Sequence, residues 1–144
     1  MSTSVTPSVR SQAGIEGSAL LKISELAGRI LLAVIFLLSG LTKIAGYTAT
    51  AGYMSSMGVP SALLPLVIAT EVLGSIAVIV GWKTRIAAFL LGGFSVLAGA
   101  LFHNNFADQI QMIMFMKDVA IAGGFALLVA HGAGPLSIDA RHSK

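Results

Sequence analysis

The chain has 144 residues, of which 56% are apolar and only 10% charged, and its net charge is +3. Soluble domains average roughly 25% charged residues, so this composition excludes an ordinary water-facing globular surface. Cysteine is absent, which excludes disulfides, thiol redox chemistry by this chain and cysteine-ligated metals.

The basic residues lie mainly between and outside the apolar runs. Membrane topology accounts for them, and nucleic acid is not an expected partner. Residues 1–21 are rich in Ser, Thr, Gly and Gln with Pro7 among them, and they are expected to form a flexible tail. A membrane domain over 22–131 follows. Its first span covers about 25–45, centred on the run from Ile30 to Leu38. About twenty residues suffice to cross a hydrocarbon core of roughly 30 Å. Arg29 and Lys43 sit near the ends of this span, where their stems can carry the charges toward headgroups.

Residues 48–59 are too short and polar to span. Tyr47, Tyr53, Met54 and Met57 fall loosely on one helical face, which predicts a short interfacial helix ended by Gly58 and Pro60. The second span covers about 61–81, with Pro60 and Pro65 at its start, where proline is best tolerated. Glu71 is its only charge. The turn Gly81-Trp82-Lys83-Thr84-Arg85 leads into a third span of about 85–102, uncharged until His103. Thr70/Gly74, Ala88/Gly92 and Ser95/Gly99 are small-residue pairs that allow close helix approach. Asp108 suits the N-cap of a fourth span over about 109–130, and 132–144 is expected to be a polar tail. The fold class is therefore all-α, an integral membrane four-helix bundle. The flanks holding Arg10, Lys22, Arg29, Lys83, Arg85, Arg141 and Lys144 fall on one side. The positive-inside rule then predicts both termini in the cytoplasm.

Ionisable groups at membrane depth are costly and face protein or a water-filled cavity. At about 1.5 Å rise per residue, Glu71 lies roughly 15 Å below the outer surface and Lys117 roughly 12 Å. Opposite charges at matched depth predict a Glu71–Lys117 ion pair. Asp118 points about 100° away around the same helix, so its candidate partners are Lys43 and His103. Together Lys43, Glu71, His103, Lys117 and Asp118 define a polar intramembrane pocket in the outer half of the bundle. One reading makes them a structural ion network and the other a ligand or proton site. His131 and His142 belong to the opposite side, so no metal-ligand set is expected. Met112, Met114 and Met116 alternate, which suits lipid-facing and core packing and not a cofactor box. No glycine-rich phosphate motif follows a strand.

Several short stretches recur in one order: Gly28-Arg29 through Phe36 to Ser39-Gly40 and Lys43, then Gly58-Val59-Pro60, Glu71 with Gly74, Phe102-His103-Asn104, and Phe115-Met116-Lys117-Asp118 with Gly123-Gly124. In these, from about Gly28 to Gly124, the chain resembles the DoxX family of small bacterial inner-membrane proteins. At Asp118 the family also uses Asn. The resemblance implies a multi-pass four-helix protein of the bacterial inner membrane. Some family members resemble subunits of quinone-linked sulfur-compound oxidoreductases, and others are associated with membrane redox-stress complexes. The leading expectation is thus a membrane subunit of an oxidoreductase, with a redox partner subunit or a second copy as partner. Its cofactor would be a quinone, with His103 and Lys117 bonding the carbonyls and Glu71 relaying protons. The alternatives are a non-catalytic scaffold or assembly factor and, third, a small proton-coupled carrier. No catalytic residue is assigned.

Overall fold

The computed structural model describes residues 7–142, with side chains from Gly17 onward. The outermost parts of both expected tails, 1–6 and 143–144, lie outside the described residues. Among the described residues the protein is all-helical: α1 (Pro7–Ala45), α2 (Tyr47–Ser56), a 3-10 turn (Ser61–Leu63), α3 (Leu64–Val80), α4 (Thr84–Phe102), α5 (Gln109–His131) and α6 (Ile138–His142). Three stretches are long and apolar enough to cross a membrane: the 3-10 turn with α3, α4, and α5. Helix α1, which turns through 100° into α2 at Gly46, brings the number of candidate crossings to four if that bent pair is one span.

Helix α1 is longer than the first span required. Its 39 residues extend roughly 58 Å at the helical rise, and the segment expected as a tail is helical from Pro7 on. Leu20, Leu21 and Ile23 are exposed along this extension. At the other end α2 leaves the axis of α1, as an interfacial helix would. Met54 is buried, while Tyr47, Tyr53 and Met57 are exposed.

The most extensively packed pairs are α4 with α5 and α1 with α3, and α3 on α4 joins them. Small residues set these contacts. A methyl group at Gly40 of α1 would lie 2.6 Å from Val72 Cγ2 of α3, closer than real side chains approach. Gly92 takes Phe125 in the same manner and Gly124 takes Leu32. In lipid, where apolar burial does not drive helix association, such close packing and interhelical polar contacts must do so. Phe36 centres the core, edge-on to Phe125 at 5.5 Å and to Phe94 at 6.2 Å.

The C-terminal segment is a second departure from the sequence reading. It is not a free tail in 133–142. Arg29, expected to reach for headgroups, is 2% exposed. Its guanidinium donates to the carbonyl oxygens of Ala133, Leu136 (2.8 Å) and Ile79 (3.1 Å). Gly81 ends α3 in the left-handed region (φ 74°), and a side chain there would collide with Ser137. Helix α4 has no side-chain cap of its own, since its N-cap is Lys83. Asp139 fills that role from α6, accepting from the backbone N–H of Lys83 (2.7 Å) and Thr84 (2.9 Å). The Asp139 N–H returns a bond to Gly81 O at 2.8 Å. Carboxylates at helix N-termini are stabilising. Partial burial works against ionisation of Asp139, but the Thr84 and Lys83 N–H bonds and the Arg29 charge outweigh it and hold its carboxyl below the usual range.

Two outcomes are expected. Gly40→Leu should cost about 1–3 kcal/mol by overpacking, read as earlier unfolding on denaturing-detergent titration. Gly123→Ala, with nothing within 4 Å of the added methyl, should leave that curve in place. The lowered folded-state pKa of Asp139 means its contribution to stability is full above the unfolded carboxylate value, about 3.9, and fades as pH falls through the lower folded value. Protection from hydrogen exchange across 133–142, relative to the intrinsic rate at each pH, should therefore fall in the wild type once pH drops below about 3.9. In Asp139→Asn that protection should already be low at neutral pH.

Candidate functional site

At the end of the bundle away from Arg29, the four long helices and α2 enclose a cavity of about 310 Å³. Its apolar wall includes Phe36, Phe94 and Phe102. Tyr53 of α2 also lines it and stacks on Phe102 with ring centroids 5.6 Å apart. The Lys43–Glu71 ion pair and a hydrogen-bonded His103–Asp118 pair supply most of the polar lining.

The first pair joins α1 to α3. Glu71, 2% exposed, accepts from Lys43 Nζ at 2.9 Å and from Ser39 Oγ at 3.1 Å, both on its Oε1 atom. Lys43 also donates to Ser39 Oγ at 2.6 Å. The close approach at Gly40 makes this possible: the helix axes come near enough for Ser39 and Lys43, four residues apart on one face of α1, to flank Glu71. The second oxygen of Glu71, Oε2, is buried with no hydrogen-bond partner among the described residues. Buried polar atoms are nearly always satisfied, so this oxygen, sealed from solvent and from the cavity space, is an exception.

The second pair joins the end of α4 to α5. His103 Nδ1 lies 2.9 Å from Asp118 Oδ2. Asp118 is seated by the small pair on α4: Ser95 Oγ donates to its backbone oxygen at 3.0 Å, and a methyl at Gly99 would press on its carboxylate at 3.0 Å. Asp108 caps α5, accepting from Ile110 N at 2.8 Å, which fixes where Asp118 falls along the helix.

Of the five residues expected in the pocket, Lys43, Glu71, His103 and Asp118 line one cavity. Lys117 does not. It is exposed, outside the cavity lining, and shows no hydrogen bond or ion pair among the described residues. The expected Glu71–Lys117 pair is replaced by Glu71–Lys43. Depth alone suggested the former, but α3 packs mainly on α1 and α4, so Glu71 meets α1. Asp118 takes the inward azimuth of α5 and, of its two candidate partners, meets His103. Ser39, Ser95 and Tyr53 were not singled out as site residues. For Ser39 a signal existed, its spacing of four from Lys43.

The DoxX family profile matches residues 24–104. The chain belongs to the DoxX family. It is 45% identical over 117 residues to the inner membrane protein YqjF of Escherichia coli (strain K12), covering 81% of this chain and 90% of that protein. It is 36% identical over 124 residues to the inner membrane protein YphA of the same organism, covering 81% and 88%. The ER-derived vesicles protein ERV29 of Saccharomyces cerevisiae is 30% identical over 77 residues, half of this chain and 25% of that one. No solved structure matches. The DoxX match contains Lys43, Glu71 and His103 and stops short of Asp118. With its several spans and these relatives, this DoxX protein is a multi-pass protein of the inner membrane.

The two lysines should separate cleanly by mutation. Lys43→Met leaves a buried carboxylate unpaired and should cost about 3 kcal/mol of stability. Lys117→Met removes a charge with no bond among the described residues from a membrane-spanning helix, so it should leave stability unchanged or raise it. Unfolding of the two variants in the same detergent checks both outcomes.

Proposed function

We propose that this DoxX protein is a membrane subunit of a quinone-linked oxidoreductase complex, and that the cavity holds a quinone headgroup. The observation that carries the reading is the cavity itself: aromatic walls, the Lys43–Glu71 ion pair and the His103–Asp118 hydrogen bond. Ligand pockets are commonly apolar, about 300–1,000 Å³, with few convergent polar groups. A six-membered ring fits that size, and Phe36, Phe94 and Phe102 offer it edges and faces. His103–Asp118 and Lys43–Glu71 supply the polar contacts, in place of the His103–Lys117 set expected from sequence. A bound quinone would supply the electron-accepting chemistry that a chain without cysteine lacks. The chain's own residues would hold the ring, keep water away from it and accept or return protons at Glu71 and His103. The Lys/Arg distribution supports placing the cavity in the periplasmic half of the bilayer, with a partner subunit docking there.

A second reading, a scaffold without chemistry, draws support from the way each ion pair ties two helices together. Calorimetric titration of the purified protein in lipid nanodiscs separates the two. Under the quinone reading, a short-chain prenylated benzoquinone or its reduced form should bind the wild type, and Glu71→Gln should weaken binding about tenfold or more, roughly 1.4 kcal/mol. Failure of both redox forms to bind the folded protein would sink the quinone reading in favour of the scaffold.

A further inference from the structure

Helix α5 is the least enclosed of the membrane helices. Only Phe125 is buried along its 23 residues, whereas α4 buries seven residues of its 19. It packs on α4 and touches α1 only lightly, so the far side of the helix has no neighbour among the described residues. Ile113, Met116, Ala120 and Gly123 fall at helical spacing on that open face and are exposed. Lys117 stands at its edge, exposed as well, one turn from Ile113 and one from Ala120. Gly123 meets nothing within 4 Å, where Gly40, Gly92 and Gly124 each admit a side chain of a neighbouring helix.

Lys117 lies roughly 12 Å along α5 from Gln109 and makes no ion pair among the described residues. A lone ammonium at membrane depth is costly and calls for an anion. The described carboxylates of this chain do not supply one. Glu71 and Asp118 are held by Lys43 and His103. Asp108 and Asp139 cap α5 and α4, and Glu25 lies against Gly134 at the opposite end of the bundle. A second copy brings the same set, and two copies meeting symmetrically through α5 would bring two lysines together. We infer that this face of α5 docks a transmembrane helix of a different subunit, and that this helix carries an Asp or Glu at the depth of Lys117. Gly123 lets the two backbones approach closely. The charge pair selects the partner and fixes its register, as charged groups at an interface do. The inference deepens the partner-subunit part of the proposed function and rests on it, without depending on what the cavity binds.

Photo-cross-linking of the full chain in cell membranes tests this, with a photoreactive side chain placed at Ala120. An adduct should form with another membrane protein, and the cross-linked peptide should come from a transmembrane segment that holds an Asp or Glu. Lys117→Met should lower the adduct about tenfold or more, as for loss of one member of a desolvated charge pair. Lys117→Arg, which keeps the charge, should retain it. Lys117→Glu should abolish it, and replacing the acid on the other helix by lysine should bring it back, a rescue that a purely steric contact would not show. Gly123→Leu should lower the adduct by holding the two backbones apart. An adduct with phospholipid alone means that the lysine reaches headgroups, and an adduct with a second copy means a homodimer; either overturns the inference. So does the absence of a protein adduct, a cross-linked segment without an acid, or an adduct undiminished in Lys117→Met. The quinone titration can fail while the cross-link stands, and the cross-link can fail while quinone binds, so the two readings fall separately.

Discussion

The structure turns on burying one carboxylate. Glu71 sits 2% exposed in a helix whose only other polar groups are hydroxyls. An unpaired carboxylate there would be expelled or neutralised. It is retained because α1 approaches closely at Gly40 and brings Ser39 and Lys43 to the same oxygen. The contact that joins α1 to α3 is therefore also the contact that charges the cavity. Helix association and site chemistry are one feature here, which is economical in a bilayer, where apolar packing alone gives little direction to assembly.

The α4–α5 pair repeats the arrangement with different parts. Ser95 and Gly99 bring α4 onto the backbone and carboxylate of Asp118, and His103 closes the pair. In each half a small residue permits the approach, a serine bonds across it, and an acid is held by a cation or an imidazole. The two halves differ in what they leave over. Lys43 and Glu71 are oppositely charged groups in direct contact, with one carboxylate oxygen to spare. His103 and Asp118 leave a ring nitrogen whose role depends on the proton next to it. The aromatic core around Phe36 separates this polar half of the bundle from the Arg29 end.

Much of this was legible in the sequence, and the limits have a physical form. Span positions, the interfacial break after Ala45 and the Asp108 cap follow from run length, glycine and proline placement and cap chemistry. So does the gathering of four ionisable residues in one half, because rise per residue converts position into depth. Depth does not give azimuth or helix order, and both were needed to choose between Lys43 and Lys117 as the partner of Glu71. Gly40 decides that choice, and a glycine in an apolar run gives no hint of which neighbour it admits. Arg29 was misplaced for a related reason. A lysine or arginine near a span end normally reaches for headgroups, and the acceptors that turn this one inward lie in a polar segment with no periodicity to read.

That inward arginine has a consequence for how the protein is made. Arg29 enters early in synthesis, yet its acceptors Ala133 and Leu136 come 104 and 107 residues later. The amide groups that begin α4 likewise wait for Asp139, more than fifty residues on. The membrane helices can thus be inserted while that end of the bundle is still unsealed. The segment 133–142 closes that end, so a chain interrupted after His131 would carry every membrane helix while Arg29 kept only the Ile79 carbonyl oxygen of its three acceptors.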